Sequence, residues 1–424
     1  MKKPITIPVQ ASCADDHEPG ILSVEAAREH ILATLPTLHG REKVALRSAL
    51  NRTLAEDIIS PLDVPGHTNS AMDGYAFIGS DLPTDKDRSY KIIGTVHAGN
   101  VFREKCQPGE CVRIMTGAPM PANTDTVVMQ EHTMSHGEDQ IRISSEHRSG
   151  QNVRQAGEDI AAGSAVLQSG RQLIPADLGI LASLGVGEVY VRRRPRVAFF
   201  STGDELRSIG EPLNEGDVYD SNRYTLYGML KRLDVELLDL GVIGDSEEAL
   251  REAFESAAGM ADIVITSGGV SVGEADYTKL VLEQLGEMNF WKIAMKPGRP
   301  LTYGKLKDAC FFGLPGNPVA VMVTFYQFVL PALHHLSTGK AYTPFILQAT
   351  CNEELRKRPG RYEFLRGILS HDKHGNLSVI STGQQGSGIL TSMSRANCFI
   401  LLDAECAGIN KEDCVQVQPF KALI

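Results

Sequence analysis

Cysteine is sparse and unpatterned in this chain of 424 residues. Its 8 cysteines form no Cys-x-x-Cys pair, and neither Cys106/Cys111 nor Cys406/Cys414 has a histidine partner at zinc spacing. That excludes a zinc ribbon and points to reduced thiols in a cytoplasm. Positive charge is short as well. The 42 Lys+Arg against 52 Asp+Glu leave a net charge of −10, which argues against nucleic acid or an anionic membrane as partner and requires any anionic ligand to be caught locally. A clean membrane span is missing too: the longest apolar stretch, Val319 to Leu336, carries Thr324, Gln327 and Pro331 and reads as a buried helix. The N-terminus lacks the apolar run of about 7–15 residues that marks a secretory signal, so residues 1–20 read as a flexible leader. Only one tryptophan is present; Trp291, with Phe325, Tyr326 and Phe328, reads as core.

What is there is a globular composition, 42% hydrophobic and 22% charged, with 40 glycines and 21 prolines that signal many tight loops. Disorder and coiled coil are excluded, and at roughly 100–200 residues per domain about three domains are expected. Behind Ser23, a plausible N-cap, apolar residues at 24, 27, 31 and 35 predict a first helix, and a short second one is predicted over Arg47 to Asp57. From residue 62 to 146 short apolar runs alternate with turn clusters, as in a small β domain. The flanking pieces, 21–61 and 147–194, with a helix near Ala176 to Leu184, are expected to pair as one discontinuous mixed domain. The run Arg192 to Arg196 reads as a solvated linker at a boundary. From 195 to 337 strands and helices alternate, which predicts βαβ units and a mainly parallel sheet, and 338–424 reads as a C-terminal β domain.

Ligands of such sheets sit at the carboxyl ends of the strands, and three loops there carry chemistry. They are Ser201-Thr202-Gly203-Asp204-Glu205, the run from Ser267 to Asp276 (SGGVSVGEAD), and Leu314-Pro315-Gly316-Asn317-Pro318. Gly268, Gly269 and Gly273 let backbone N–H groups approach an anion, and Ser267 and Ser271 add hydroxyls, which together make a phosphate cradle without net positive charge. Asn317 and Pro318 have the form of an N-cap and first helical residue; ordinary capping and anion binding both fit. Glu205, Asp245 and Asp276 are candidates for a divalent hard cation, because Mg²⁺ is held through one or two carboxylates plus phosphate oxygens. Lys292 and Lys296 stand at an even offset in a strand-like run, so they are expected to share one face, turned either to water or to an oxyanion. His132 and His136 have a zinc-like spacing, but no glutamate stands between them and the segment reads as a loop. Arg356, Lys357, Arg358 and Arg361 have the composition of a local anion-attracting patch, but a solvated basic face is the expectation.

Six strings then occur in a telling order. They are VPGHTNSAMDGYA from Val64 to Ala76, RIMTGAP from Arg113 to Pro119, GED from Gly157 to Asp159, and the three loops beginning at Ser201, Ser267 and Leu314. From about Leu22 to the C-terminus the sequence resembles the MoeA family of molybdopterin molybdenumtransferases and the related E domain of gephyrin. The resemblance implies a multidomain α/β and β subunit: a MogA/MoaB-like parallel α/β domain, a small β domain, a discontinuous mixed domain and a C-terminal β-barrel domain, assembled as a homodimer. It implies insertion of molybdate into adenylylated molybdopterin, with Mg²⁺ and release of AMP, to give molybdenum cofactor. A MogA-type adenylyltransferase is the implied upstream partner, and molybdoenzymes or their chaperones the downstream ones. Family sites carry over to Asp73 and Thr116, to Arg154, to Glu205, Asp245, Asp276, Lys292, Lys296, Pro315 and Pro318, and to Arg366 and Ser387 as molybdate-contacting positions. Arg299 departs from the pattern, since many relatives have Lys there. Two rivals stay open: a non-catalytic pterin-binding scaffold, and a nucleotide pyrophosphate hydrolase on the same cradle.

Overall fold

The computed structural model describes residues 21–268 and 277–420. The expected leader lies outside the described residues, as do Gly269, Ser271 and Asp276. Two compact units divide the chain, one made of residues 1–40 with 192–424, the other of Arg41–Val191.

In the first unit a seven-stranded sheet runs in the order Ile21–Leu22, Gly286–Ile293, Pro300–Leu306, Ala309–Leu314, Ile263–Ser267, Arg196–Thr202, Glu236–Ile243. The last four are mutually parallel, whereas Pro300–Leu306 is antiparallel to both its neighbours. The central strands are apolar on both faces, as parallel strands covered on both sides must be. Val197, Phe199, Ile263, Ile265 and Phe312 enter one core, and Ala198, Phe200, Val264 and Phe311 alternate into the other. Two of the helices between these strands open on side-chain caps. Asp220 accepts from Arg223 N at 3.1 Å, and Ser246 accepts from Ala249 N at 3.3 Å. The long apolar helix Pro318–Thr338 is mostly buried in the chain's own core. Pro331 has no N–H to give to the carbonyl of Gln327, four residues back; that carbonyl lies in a π-helical turn, Phe325–Val329, and takes a hydrogen bond from Arg28 Nε at 3.2 Å.

The first helix forms as expected, Val24–Thr34, with Ser23 Oγ accepting from Ala26 N at 3.0 Å. Its partner differs from the expectation. Val24, Ala27 and Ile31 enter the core of the α/β unit, not that of the discontinuous domain, because the preceding strand Ile21–Leu22 pairs with Lys292 and Ile293. The C-terminal part closes into a five-stranded barrel. Tyr362–His371 pairs on one side with Leu377–Ser381 and on the other with Cys398–Leu402, and Leu347–Cys351 and Cys414–Pro419 complete the ring.

In the unit Arg41–Val191, a six-stranded sheet spans Gly74 to Ile143. A separate small core joins Ala49 and Leu54 to Leu167, Leu181 and Val189 from the later piece. The helix predicted over Arg47 to Asp57 is absent beyond one 3₁₀ turn, Leu46–Ser48. Tertiary pairing takes those backbone groups instead: Asn51 N and Leu54 N donate to Leu173 O and Arg171 O, each at 2.9 Å.

The arginine run at the boundary is not a solvated linker. Arg193 forks onto both oxygens of Asp262 at 2.7 and 2.8 Å, and Arg194 Nε reaches Asp234 at 2.6 Å. Burial pushes the Asp262 carboxyl up, but the Arg193 fork and the Arg196 backbone N–H outweigh it and hold the group below the usual aspartate range. This stabilisation is therefore present above the unfolded aspartate value of about 4 and is lost as pH falls through the lower folded value. Arg193→Ala should cost about 2 kcal/mol at pH 7. Urea unfolding of both proteins should show the difference shrinking toward pH 3.

Candidate functional site

The described parts of the three chemistry-bearing loops, which for the second are Ser267 and Gly268, meet at one edge of the α/β sheet. Gly268 N donates to Leu314 O at 3.2 Å, and Asn222 Nδ2, from the first turn of the helix Ser221–Leu230, donates to Gly316 O at 2.7 Å. Ser201 Oγ and Ser267 Oγ lie 3.5 Å apart in the buried floor. Among the described residues Thr202 Oγ1, Thr266 Oγ1 and Asn222 Oδ1 are buried without a hydrogen-bond partner, which is the state expected of polar groups that a ligand, water or further protein group completes. Gly268 has φ +91°, and a Cβ there would stand 2.5 Å from Thr202 O; only glycine lets the loops close this far. Asp204 Oδ1 accepts from Asp245 N at 2.9 Å, tying the loop of Glu205 to that of Asp245.

Beside this cradle lies a cavity of about 350 Å³ between the sheet loops and the barrel. Its walls include Lys296, Arg299, Pro315, Asn317, Arg361 and Ser387. Lys296, Pro315 and Ser387, carried by three separate segments, are thus brought together. Pro318 opens the helix next to Asn317, whose side chain makes no capping bond. Arg366 is 1% exposed. Its Nη2 donates to Gly386 O and its Nε to Ser392 Oγ, each at 3.1 Å, so it fixes the segment that presents Ser387. Burial pushes its pKa down to about 10, which leaves it a cation at neutral pH.

The expectation that Lys292 and Lys296 share one strand face does not hold. Lys292 belongs to Gly286–Ile293 in the large sheet, whereas Lys296 belongs to a two-residue strand that pairs with Tyr362–Glu363 of the barrel. The chain changes sheets at Ala294, and the even offset loses its meaning there. The basic face at 356–361 also resolves differently. Lys357 is buried, with Nζ on the carbonyls of Arg358 and Cys406 at 3.1 and 3.0 Å, and Arg361 is the member that reaches the cavity. Gln385 is not signalled by the sequence, whereas Arg361 is grouped there with Arg356, Lys357 and Arg358 as the composition of an anion-attracting patch, and of those four it alone lines the cavity.

In the unit Arg41–Val191, Asp73, Thr116 and Arg154 fall on three segments laced together by backbone. Gly117 N donates to Ser70 O at 2.8 Å, Ala71 N to Asn152 O at 2.9 Å, and Asn69 pairs with Arg154. Asp73 Oδ1 accepts from both the N–H and the hydroxyl of Thr116 at 2.7 Å, and the backbone bond first, then the hydroxyl, hold its carboxyl below the usual aspartate range.

Comparison with known proteins fits this geometry. Residues 22–185 match the model of the MoeA N-terminal region (domain I and II), 198–335 that of a probable molybdopterin binding domain, and 348–420 that of the MoeA C-terminal region (domain IV). A molybdopterin molybdenumtransferase from Haemophilus influenzae is 44% identical over 405 residues, covering 95% of this chain and 100% of that protein. Gephyrin from Dictyostelium discoideum is 32% identical over 88% of this chain and 59% of its own length. The crystal structure of the molybdopterin biosynthesis moeA protein from Pyrococcus horikoshii OT3 superposes with a TM-score of 0.82 at 30% identity, covering 94% of this chain and 100% of that one. Gly268→Ala should cost about 1–3 kcal/mol, because the backbone there is both left-handed and closely approached. Thermal unfolding would read this loss, and an unchanged midpoint would count against the tight closure of the cradle.

Proposed function

The chain belongs to the MoeA family of molybdopterin molybdenumtransferases, and on that footing we propose that it inserts molybdate into adenylylated molybdopterin, releasing AMP and yielding molybdenum cofactor. The observation that carries this reading is the adjacency, within one unit, of a hydroxyl- and glycine-lined cradle and a cavity walled by Lys296, Arg299 and Arg361. The cradle suits a phosphoanhydride. The cations and the Ser387 hydroxyl suit a small tetraoxo dianion, with Arg299 and Arg361 offering planar donor forks and Lys296 a compact charge.

Mg²⁺ would fit at Glu205 and Asp245, whose loops are tied through Asp204, because this ion needs only one or two protein carboxylates when phosphate oxygens supply the rest. Asp276 is the third proposed ligand. When bound there, Mg²⁺ would neutralise charge on the phosphoanhydride as AMP leaves. The protein's own part is to orient: Ser201, Ser267 and Asn222 line the cradle floor, and Arg366 sets the wall that presents Ser387. No thiolate from the chain is required, and burial pushes the Cys398 thiol up to about 12. The proposal extends to a cytoplasmic homodimer that receives its substrate from a MogA-type adenylyltransferase and passes its product to molybdoenzymes or their chaperones.

Purified protein given adenylylated molybdopterin and Mg²⁺ should release AMP in a molybdate-dependent manner. Tight binding without release would favour a scaffold, and release indifferent to molybdate a hydrolase. Lys296→Ala should raise the molybdate concentration needed for half-maximal release by about tenfold or more while leaving pterin-nucleotide affinity nearly unchanged. Equal losses in both would remove the lysine from the oxyanion site.

A further inference from the structure

Lys296, on the cavity wall, faces an anion. Glu363 is 8% exposed. It stands in register with Lys296 in the short parallel ladder between Met295–Lys296 and the barrel strand. Its Oε1 lies 3.5 Å from Lys296 Nζ, too long for a tight charge-assisted bond. The two side chains differ in freedom: counted over side-chain atoms alone, the lysine is 53% exposed and the glutamate 10%. A buried carboxylate thus faces the ammonium of a half-exposed lysine that lines the cavity.

A negative charge next to an anion site opposes the binding of an anion. In a transferase that opposition has a use, because oxyanion bound as tightly before reaction as during it would gain no rate and would resist transfer. We propose that Glu363 is the resident counter-anion of Lys296: it holds the ammonium at the cavity before molybdate enters, and by competing for it keeps molybdate loosely enough bound to be passed to the dithiolene. This rests on the molybdate reading of the cavity. Glu363 acts through Lys296 and is a positioning residue.

Glu363→Gln keeps the side chain's shape and its ability to accept a hydrogen bond while deleting the charge. Calorimetric titration of the full chain with sodium molybdate should show the dissociation constant falling by about tenfold. The turnover number for molybdate-dependent AMP release should fall in the same variant. The tightening should shrink in 1 M salt, where charges are screened within about 3 Å, and should vanish in a Lys296→Ala background. Glu363→Asp, which lengthens the gap to the ammonium, should tighten binding in the same direction by a smaller factor, and it serves if the glutamine variant does not fold. A purely structural glutamate would give unchanged or weaker molybdate binding in variants whose melting temperature matches the parent, and that result overturns the proposal. Failure of the unsubstituted protein to bind molybdate would instead sink the functional reading on which it stands.

Discussion

The arrangement of the first unit turns on the backbone of a single residue, Ala294. Its N–H donates to Leu22 O at 2.8 Å on the edge of the large sheet, and its carbonyl accepts from Tyr362 N at 2.9 Å at the start of a barrel strand. A strand that had continued straight would have kept Lys292 and Lys296 on one surface. Because the chain changes sheets here, the barrel is stitched to the sheet by main-chain bonds, and Lys296 is delivered to the seam between them. The cavity wall follows from that crossing: Arg299 and Pro300 return into the sheet, and Arg361 stands at the entry to the barrel strand.

This explains how a protein of net charge −10 can offer an anion a local home. The cations are not a surface stripe, as they would be in a nucleic-acid binder. They are contributed singly, by a strand end, a turn and a strand start, and are concentrated by tertiary structure. Elsewhere arginines are consumed in structure, Arg193 on Asp262 and Arg223 between Asp220 and Asp239.

What was legible in the sequence is what is local. Ser23, Asp220 and Ser246 each cap a backbone N–H three residues on, so helix starts could be read directly. The apolar runs of the central strands encode burial on both faces, and the glycine of the Ser267 loop encodes its positive φ. What was not legible depends on partners far along the chain. Arg193 finds its carboxylate 69 positions away, and Glu363 stands 67 positions from Lys296. The second helix failed because residues across a domain insertion offered its backbone better partners than its own turn could. The resemblance to a family supplied site positions that spacing alone could not, but it said nothing of Arg361 or Glu363.

The first helix has a consequence in time as well as space. Arg28 Nη2 bonds Gln327 Oε1 at 2.9 Å across 299 positions, and among the described residues the apolar face of this helix is covered by the core of the unit to which Gln327 belongs. On a ribosome adding about 5–20 residues per second, that cover is synthesised roughly 15–60 seconds after the helix itself. The unit Arg41–Val191 is complete well before then and can fold first. The nascent chain therefore carries an amphipathic segment with Val24, Ala27 and Ile31 unburied through most of its synthesis, an apolar face that a chaperone has a long opportunity to bind.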